Sequence, residues 1–233
     1  SWVPAASETS LYMRPFMFAS EAFLGVRPAH QVTFCLIASP AGPYFAPGVA
    51  GVSIWVSTDY TRAAPGGTGA AKCAGNYAAS LLAMQQAADH GCQQVAFLDA
   101  VERTWVEELG GMNLFFVHAD GTLVTPALTG TILEGITRSS ILTLAAEQGL
   151  TVTERAVSLD EWRDGARSGE IREVFACGTA AVVTPVSRLA WDGGEVRIGD
   201  GTPGPVTLQI RSSLVDLQYG RVVDRHGWMH QIC

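Results

Sequence analysis

Gly66-Gly67-Thr68-Gly69-Ala70-Ala71-Lys72-Cys73-Ala74-Gly75-Asn76-Tyr77 is a run of small residues that carries the only lysine of the chain. Of the 15 lysine and arginine residues, one is Lys72 and 14 are arginines. Arginine pairs with carboxylates and phosphates but does not deprotonate in proteins, so it cannot serve as an amine nucleophile. A buried lysine can lose its proton and form a Schiff base. Two readings of Lys72 follow: an amine that must react, or a residue left over in an arginine-rich composition. The setting points toward chemistry, because the lysine follows a glycine loop and precedes an apolar helical pattern.

Outward from this stretch, 233 residues suffice for one large domain or two small ones. Hydrophobic content of 48% with 16% charge describes a globular chain with a sizeable core. A net charge of -7 argues against nucleic acid and anionic membrane as partners. No apolar run approaches the ~20 residues that span a bilayer. The five cysteines, Cys35, Cys73, Cys92, Cys177 and Cys233, are odd in number and widely spaced. No CxxC or His/Cys cluster suggests a metal, so reduced, mostly buried thiols in a cytoplasmic protein are expected.

In chain order, residues 11–18 and 31–38 read as strands, separated by a loop at Leu24-Gly25-Val26-Arg27-Pro28. Residues 39–51 hold three prolines and three glycines and form the best linker candidate. A strand at 51–57 precedes the lysine loop. Residues 76–88 are helical, stopped at His90-Gly91. Residues 94–98 form a short strand. Residues 105–108 and 112–117 read as one strand interrupted at Gly110-Gly111. Asp120-Gly121 signals a hairpin turn, with 122–125 returning. Residues 135–148 predict a helix stopped by Gly149. Ser158-Leu159-Asp160-Glu161 is a capping box for another. Strands within 174–186 break at Gly178-Thr179, a turn at 192–194 leads to 196–198, and the last helix runs from Pro205 to Tyr219. Its Val206, Ile210, Leu214 and Leu217 share a face, and Gly220 ends it. Strand pairs with interspersed helices predict an α+β or mixed α/β fold.

Three further places carry possible contacts. Glu107-Glu108-Leu109-Gly110-Gly111 puts carboxylates in an apolar strand, where a buried one needs a cationic partner; a solvent-facing pair at a strand end is the alternative. The segment from Gly130 to Thr137 opens a helix whose free N–H groups suit a phosphate, or is an ordinary Thr-capped helix start. Cys177-Gly178-Thr179-Ala180-Ala181, a small-residue break between strands, offers N–H groups and a hydroxyl, or is a β-bulge or crossing without a ligand. Pyridoxal phosphate would use all of these together: a lysine for its aldehyde, a carboxylate for its ring nitrogen, a phosphate cradle, and a tyrosine such as Tyr77 for its phenolic oxygen.

The whole chain resembles the branched-chain amino acid aminotransferases, pyridoxal-phosphate enzymes of fold type IV. The resemblance rests on Leu11-Tyr12-Met13-Arg14-Pro15, on Ser39-Pro40-Ala41-Gly42-Pro43-Tyr44-Phe45, and on the Gly-Gly-Thr-Gly-Ala-Ala-Lys run with Gly75-Asn76-Tyr77. Residues 108–115, 135–138 and 178–185, Gln218-Tyr219-Gly220 and Gly227-Trp228 extend it. It implies transamination of leucine, isoleucine and valine with 2-oxoglutarate. Lys72 would then be the Schiff-base lysine and proton carrier, and Glu108 the partner of the pyridine nitrogen. Tyr77 would bond the phenolic oxygen. Gly135, Ile136 and Thr137 with the Thr179 hydroxyl would hold the phosphate, and Leu133 would pack on the ring. Ala180 and Ala181 would offer N–H groups to the substrate carboxylate, with Gly111, Tyr12 and Arg14 lining the pocket. Leu24 and Val26 would reach the neighbouring subunit's pocket, which implies a homodimer.

The resemblance also assigns 1–40 to the end of a small domain, 41–51 to a connector and 52–233 to the large cofactor-binding domain. Family members carry most of the small domain, including a phosphate-binding arginine, upstream of this region; without it, Arg62 or Arg138 would have to supply that charge. The Cys-x-x-Cys pair of some animal members is replaced by Ala181 and Thr184, so no thiol switch is available there. Gly111 replaces a threonine found in others, which removes a hydroxyl contact. A D-amino acid transaminase or related lyase of the same fold is the rival within the class. A non-catalytic domain retaining the fold is the rival outside it, and the presence of both Lys72 and Glu108 argues against it.

Overall fold

The computed structural model describes residues 2–6, 9–42, 44 and 51–232. Its contacts divide the chain into two compact units, Ser1–Pro47 and Gly48–Cys233. In the first, β1 (Ser10–Ala19) and β2 (Val32–Ala41) form an antiparallel ribbon in continuous register from Ser10↔Ala41 to Ala19↔Val32. Ala41, the first residue of the expected connector, therefore belongs to a strand, and 43 and 45–50 lie outside the described residues.

The second unit opens with β3 (Val52–Ser57), a continuously buried run apart from half-buried Trp55. That pattern marks a strand covered on both faces. Then follow α1 (Ala74–Asp89), β4 (Gln94–Leu98), β5 (Val106–Leu109), β6 (Asn113–His118), β7 (Leu123–Thr125), α2 (Ile136–Glu147), β8 (Val152–Glu154), α3 (Leu159–Ser168), β9 (Ile171–Gly178), β10 (Val182–Trp191), β11 (Gly194–Arg197) and α4 (Pro205–Gln218). The strands make one sheet in the order β5-β4-β3-β10-β9-β6-β7-β8, with β11 beside β10. Pairs β3–β4, β3–β10 and β7–β8 are parallel and the others antiparallel, so the mixed α/β expectation holds.

The single interrupted strand expected around Gly110-Gly111 is instead two separate strands. β5 pairs with β4, whereas β6 lies between β9 and β7. Leu109 N–H donates to Met112 O at 2.9 Å across the glycine pair. The break therefore reverses the chain between different parts of the sheet. Helices α2 and α4 cover β9 and β10 through Ile141, Leu144, Ile210 and Leu214, packed around the stacked rings of Phe115 and Phe175. Helix α1 lies on β3 and β4 through Ala83 and Ala87, small enough to let it approach closely.

Helix α3 begins as its sequence dictates. Ser158 Oγ accepts from Glu161 N at 3.0 Å, although the Glu161 carboxylate turns to Arg155 instead of closing the box. Its Trp162 is fully buried and meets Phe116 edge-on at 5.1 Å. Trp162→Ala should lower unfolding free energy by about 3–5 kcal/mol, the usual cost of emptying a large aromatic site; urea denaturation measures it, and a loss under about 1 kcal/mol would mean the cavity collapses.

Candidate active site

The lysine loop is held by its own sequence. Asn76, buried at the start of α1, donates through Nδ2 to Thr68 O (2.8 Å) and Ala71 O (3.0 Å), and Thr68 Oγ1 donates to Asn76 Oδ1 (2.7 Å). Gly69 sits so close to the Thr131 backbone that no Cβ would fit. On this frame Lys72 Nζ lies 3.0 Å from the Tyr77 hydroxyl, with Nζ 5.3 Å from the ring centroid. Lys72 is exposed, not buried. Its loop crosses the surface, and the side chain leaves toward Tyr77 rather than into the core.

Glu107 and Glu108 are buried, at 5% and 2% exposure, which overturns the solvent-facing alternative. Neighbours on β5, their side chains leave in opposite directions. Glu107 accepts from the Thr131 hydroxyl, and its Oε2 is buried without a described partner. Glu108 Oε1 accepts from Leu133 N (3.0 Å) and pairs with Arg62 Nη2 (2.6 Å); Oε2 accepts from Asn113 Nδ2 (3.2 Å). Burial pushes the Glu108 carboxyl up to about 7, against the lowering effect of Arg62. Burial likewise raises Glu107. A carboxylate has about four acceptor positions. Three are engaged at Glu108, which leaves one on Oε2.

The sequence marks neither Asn113, which heads an apolar strand, nor Arg62, which precedes a glycine loop, as a partner of Glu108. Asn113 Nδ2 also donates to Leu133 O at 3.0 Å and so joins β5, β6 and the segment leading to α2. Gly135 backs onto it, and a Cβ there would collide with Asn113 Oδ1.

Helix α2 has Gly135 as N-cap, no side-chain cap and no acidic residue in its first turn. The Thr-capped alternative therefore fails, and the Ile136 and Thr137 N–H groups face outward from an uncapped positive end. Helix α4 shows the contrast. There the buried Glu173 carboxylate accepts from Val206 N (3.1 Å) and Thr207 N (2.8 Å), so a protein anion fills the position that α2 leaves open.

Gly178, Thr179, Ala180 and Ala181 turn the chain from β9 into β10, with Gly178 paired to Val182. This is a hairpin, not a bulge in a continuing strand. Val182 is at φ +55°, a rare conformation for a β-branched residue. Thr179 and Ala180 are exposed and Ala181 half-buried. Asn113 pairs with Cys177, so the hairpin stands beside β6. A Cβ on Gly111 would lie 3.6 Å from the Tyr77 ring, and one on Gly178 3.7 Å from Gly111 O. Lys72, Tyr77, Gly111 and the hairpin thus form one neighbourhood. Glu108, Asn113, Leu133 and Gly135 at the start of α2 form a second group, joined to the first where Asn113 pairs with Cys177.

The remaining candidates lie in the first unit. Tyr12 and Arg14 share one face of β1, with the Arg14 guanidinium 5.1 Å from the Tyr12 ring. Leu24 and Val26 are fully exposed on a loop braced by the Glu21–Arg27 ion pair at 2.8 Å. Arg138 donates to Pro126 O (2.9 Å) and pairs with Glu154 (2.6 Å), and Arg62 pairs with Glu108. Cys35, Cys73, Cys92 and Cys177 are free thiols; only the last two are buried, and burial pushes Cys177 up to about 12. Cys233 lies outside the described residues. Among the described residues no group of His, Cys, Asp and Glu is arranged to hold a metal, and no helix is long and apolar enough to cross a membrane.

The model of amino-transferase class IV matches residues 2–189. The chain belongs to this family. It is 58% identical to the branched-chain-amino-acid aminotransferase of Mycobacterium tuberculosis, over 100% of this chain and 64% of that protein. The chain thus spans just under two thirds of that relative. Among solved class IV structures it matches the Escherichia coli branched-chain amino acid aminotransferase, with a TM-score of 0.80, 36% identity and coverage of 95% and 70%. It also matches the T.th. branched-chain amino acid aminotransferase holding pyridoxamine 5'-phosphate, with a TM-score of 0.81, 33% identity and coverage of 95% and 69%. That enzyme has also been solved with N-(5'-phosphopyridoxyl)-L-glutamate and with 4-methylvaleric acid.

Gly135→Ala should weaken pyridoxal phosphate binding by the protein about 5- to 150-fold, equivalent to the 1–3 kcal/mol typical of overpacking. The added methyl must displace Asn113 and with it a hydrogen bond to Glu108. Fluorescence titration of cofactor-free protein reads the effect; unchanged affinity would remove Asn113 from the site.

Proposed function

We propose that the chain carries the cofactor-binding part of a pyridoxal-phosphate-dependent aminotransferase. It would move the amino group between branched-chain L-amino acids (leucine, isoleucine, valine) and 2-oxoglutarate. The observation that carries this is a free amine 3.0 Å from a tyrosine hydroxyl, across a shared site from a buried carboxylate with one acceptor position open. The uncapped start of α2 adds a place for a phosphate. The 58% identity to a branched-chain-amino-acid aminotransferase and the likeness to one holding pyridoxamine 5'-phosphate and 4-methylvaleric acid support the cofactor and the substrate class. The N-(5'-phosphopyridoxyl)-L-glutamate complex of that same enzyme supports a glutamate and 2-oxoglutarate pair as the second half-reaction.

The cofactor, when bound, supplies the aldehyde that captures amines and the ring that takes up charge developing at the substrate Cα. Lys72 provides the amine that holds it and then moves the proton at Cα. Tyr77 orients that amine and donates toward the phenolic oxygen. Glu108 keeps a negative charge beside the ring nitrogen, and Leu133 packs on the ring. Gly135, Ile136 and Thr137 present N–H groups to the phosphate, and Thr179 adds its hydroxyl. Ala180 and Ala181 present N–H groups to the substrate carboxylate, and Gly111 leaves room beside Tyr77. In this reading residues 1–40 complete a small domain that contributes Tyr12 and Arg14 to the pocket. Leu24 and Val26 serve the neighbouring subunit of a homodimer, and free thiols suit a cytoplasmic enzyme.

Borohydride treatment of the purified, cofactor-loaded protein, followed by peptide mass spectrometry, tests the assignment. A pyridoxyl group fixed on the Lys72 peptide is the expected result; its absence from that peptide in protein that turns over leucine would end this reading.

A further inference from the structure

Arg62 plays no part in the mechanism above, yet its placement is unusual for a cation. Its side chain is 4% exposed, and Nη2 lies 2.6 Å from Glu108 Oε1 and 3.1 Å from Gly69 O, and also donates to Thr131 O. These acceptors belong to three separate segments: β5, the loop ending in Lys72, and the stretch leading to Leu133 and α2. Gly69 is the residue at which a Cβ would strike the Thr131 backbone, so its glycine is what lets the lysine loop come near enough to share the guanidinium.

We propose that Arg62 is a positioning residue that keeps Glu108 ionised against the cofactor's ring nitrogen and ties the lysine loop to that same carboxylate. The inference rests on the pyridoxal-phosphate reading. The physical argument starts from burial. A carboxylate in so dry a position favours its neutral form unless a cation faces it. The charged groups that act on Glu108 are Arg62, Glu107 (from the opposite face of β5) and Lys72, with Asn113 and Leu133 as neutral donors. Without Arg62, two buried carboxylates would be left with only the exposed ammonium of Lys72. Glu108, which burial raises to about 7 even with Arg62 in place, would then hold its proton well above neutral pH. A proton shared between Glu108 and the ring nitrogen would sit on the carboxyl, and the ring would lose its positive charge. With the guanidinium in place the carboxyl gives up its proton more readily, which favours leaving the shared proton on the ring.

A purely structural ion pair would also fix the fold, so the test must read charge. In cofactor-free full-length protein, 13C-labelled glutamate carboxyls are titrated by NMR, with Glu108 assigned by difference from Glu108→Gln. Arg62→Gln, which keeps donors for the two carbonyls but no charge, should raise the Glu108 midpoint by about one to three units. Arg62→Lys, which keeps the charge, should return it toward the unsubstituted value. In the loaded protein, ring-15N pyridoxal phosphate should give a protonated-nitrogen signal at neutral pH in the unsubstituted protein and in Arg62→Lys, and a neutral-pyridine signal in Arg62→Gln. An Arg62→Gln protein with unchanged midpoint and ring signal overturns the proposal, as does an Arg62→Lys protein no different from Arg62→Gln. If Arg62→Gln does not fold, a cofactor-bound structure decides: a guanidinium that has left Glu108 overturns the proposal, and one still in contact, with Arg62→Lys keeping the ring protonated, supports it. A protein that takes up no pyridoxal phosphate sinks this inference together with the functional reading. One that binds it, with a ring nitrogen indifferent to Arg62, sinks this inference alone.

Discussion

Lys72→Arg in the full-length protein should bring transamination of leucine with 2-oxoglutarate below detection, while circular dichroism and thermal unfolding stay unchanged. Arginine keeps the positive charge and much of the length but does not give up its proton at accessible pH. It can neither attack the cofactor aldehyde nor return a proton to Cα. General acid–base work alone contributes about 10²–10⁴-fold, and loss of covalent attachment adds to that. The fold should survive because Lys72 is exposed and its described side-chain contacts are with Tyr77 alone. A steady-state assay with each branched-chain substrate measures the loss. Activity within tenfold of the unsubstituted protein would show that Lys72 is only the compositional remainder that the sequence also allows.

What the sequence disclosed depended on how local the cause was. The Lys72 loop was legible because its small residues and Asn76 act within ten positions of each other. The ends of α1, α2 and α3 were legible for the same reason. Gly91 and Gly149 take positive φ, and Ser158 caps its own helix. The relation of β5 to β6 was not legible. Each is a short buried run beside a glycine pair, and only their partners, β4 for one and β9 with β7 for the other, separate them in the sheet. Strand β8 escaped notice because it is three residues long, partly polar and only partly buried. At the site, the residue types that do chemistry were readable, but their electrostatic setting was not. Glu108 could have ended at the surface, since all four residues of β5 are buried and no alternation tells inside from outside. What makes it a buried carboxylate are Arg62, 46 positions upstream, and Leu133, 25 positions downstream.

Glu108→Gln should leave cofactor bound but slow the half-reaction with leucine about 10²–10³-fold, comparable to the loss of one preorganised electrostatic contact at a developing charge. The amide is isosteric and its one oxygen can still accept from Leu133 N, at the cost of the Asn113 contact to the other position, so the site should keep its backbone shape. It cannot carry the charge that holds a proton on the ring nitrogen. That charge matters most when the electron pair from Cα moves into the ring, so the loss should appear in the single-turnover rate rather than in substrate affinity. Stopped-flow absorbance measures it; an unchanged rate would return Glu108 to a structural role and direct the same test to Glu107. The substitution has a second, independent consequence in the cofactor-free protein. Glu108 is raised from the ordinary carboxylate range to about 7 by burial, so between those limits the folded state binds more protons than the unfolded one. Its contribution to stability is therefore complete below about pH 4.5 and is lost as pH rises through about 7. Arg62 left without its partner will lower the stability of Glu108→Gln overall, but that cost does not titrate. The slope of stability against pH between about 4.5 and 7 should accordingly be shallower in Glu108→Gln than in the unsubstituted protein. Parallel slopes from urea unfolding across that window would show that Glu108 is hydrated in solution, and a hydrated carboxylate could not hold the ring proton as the rate argument requires.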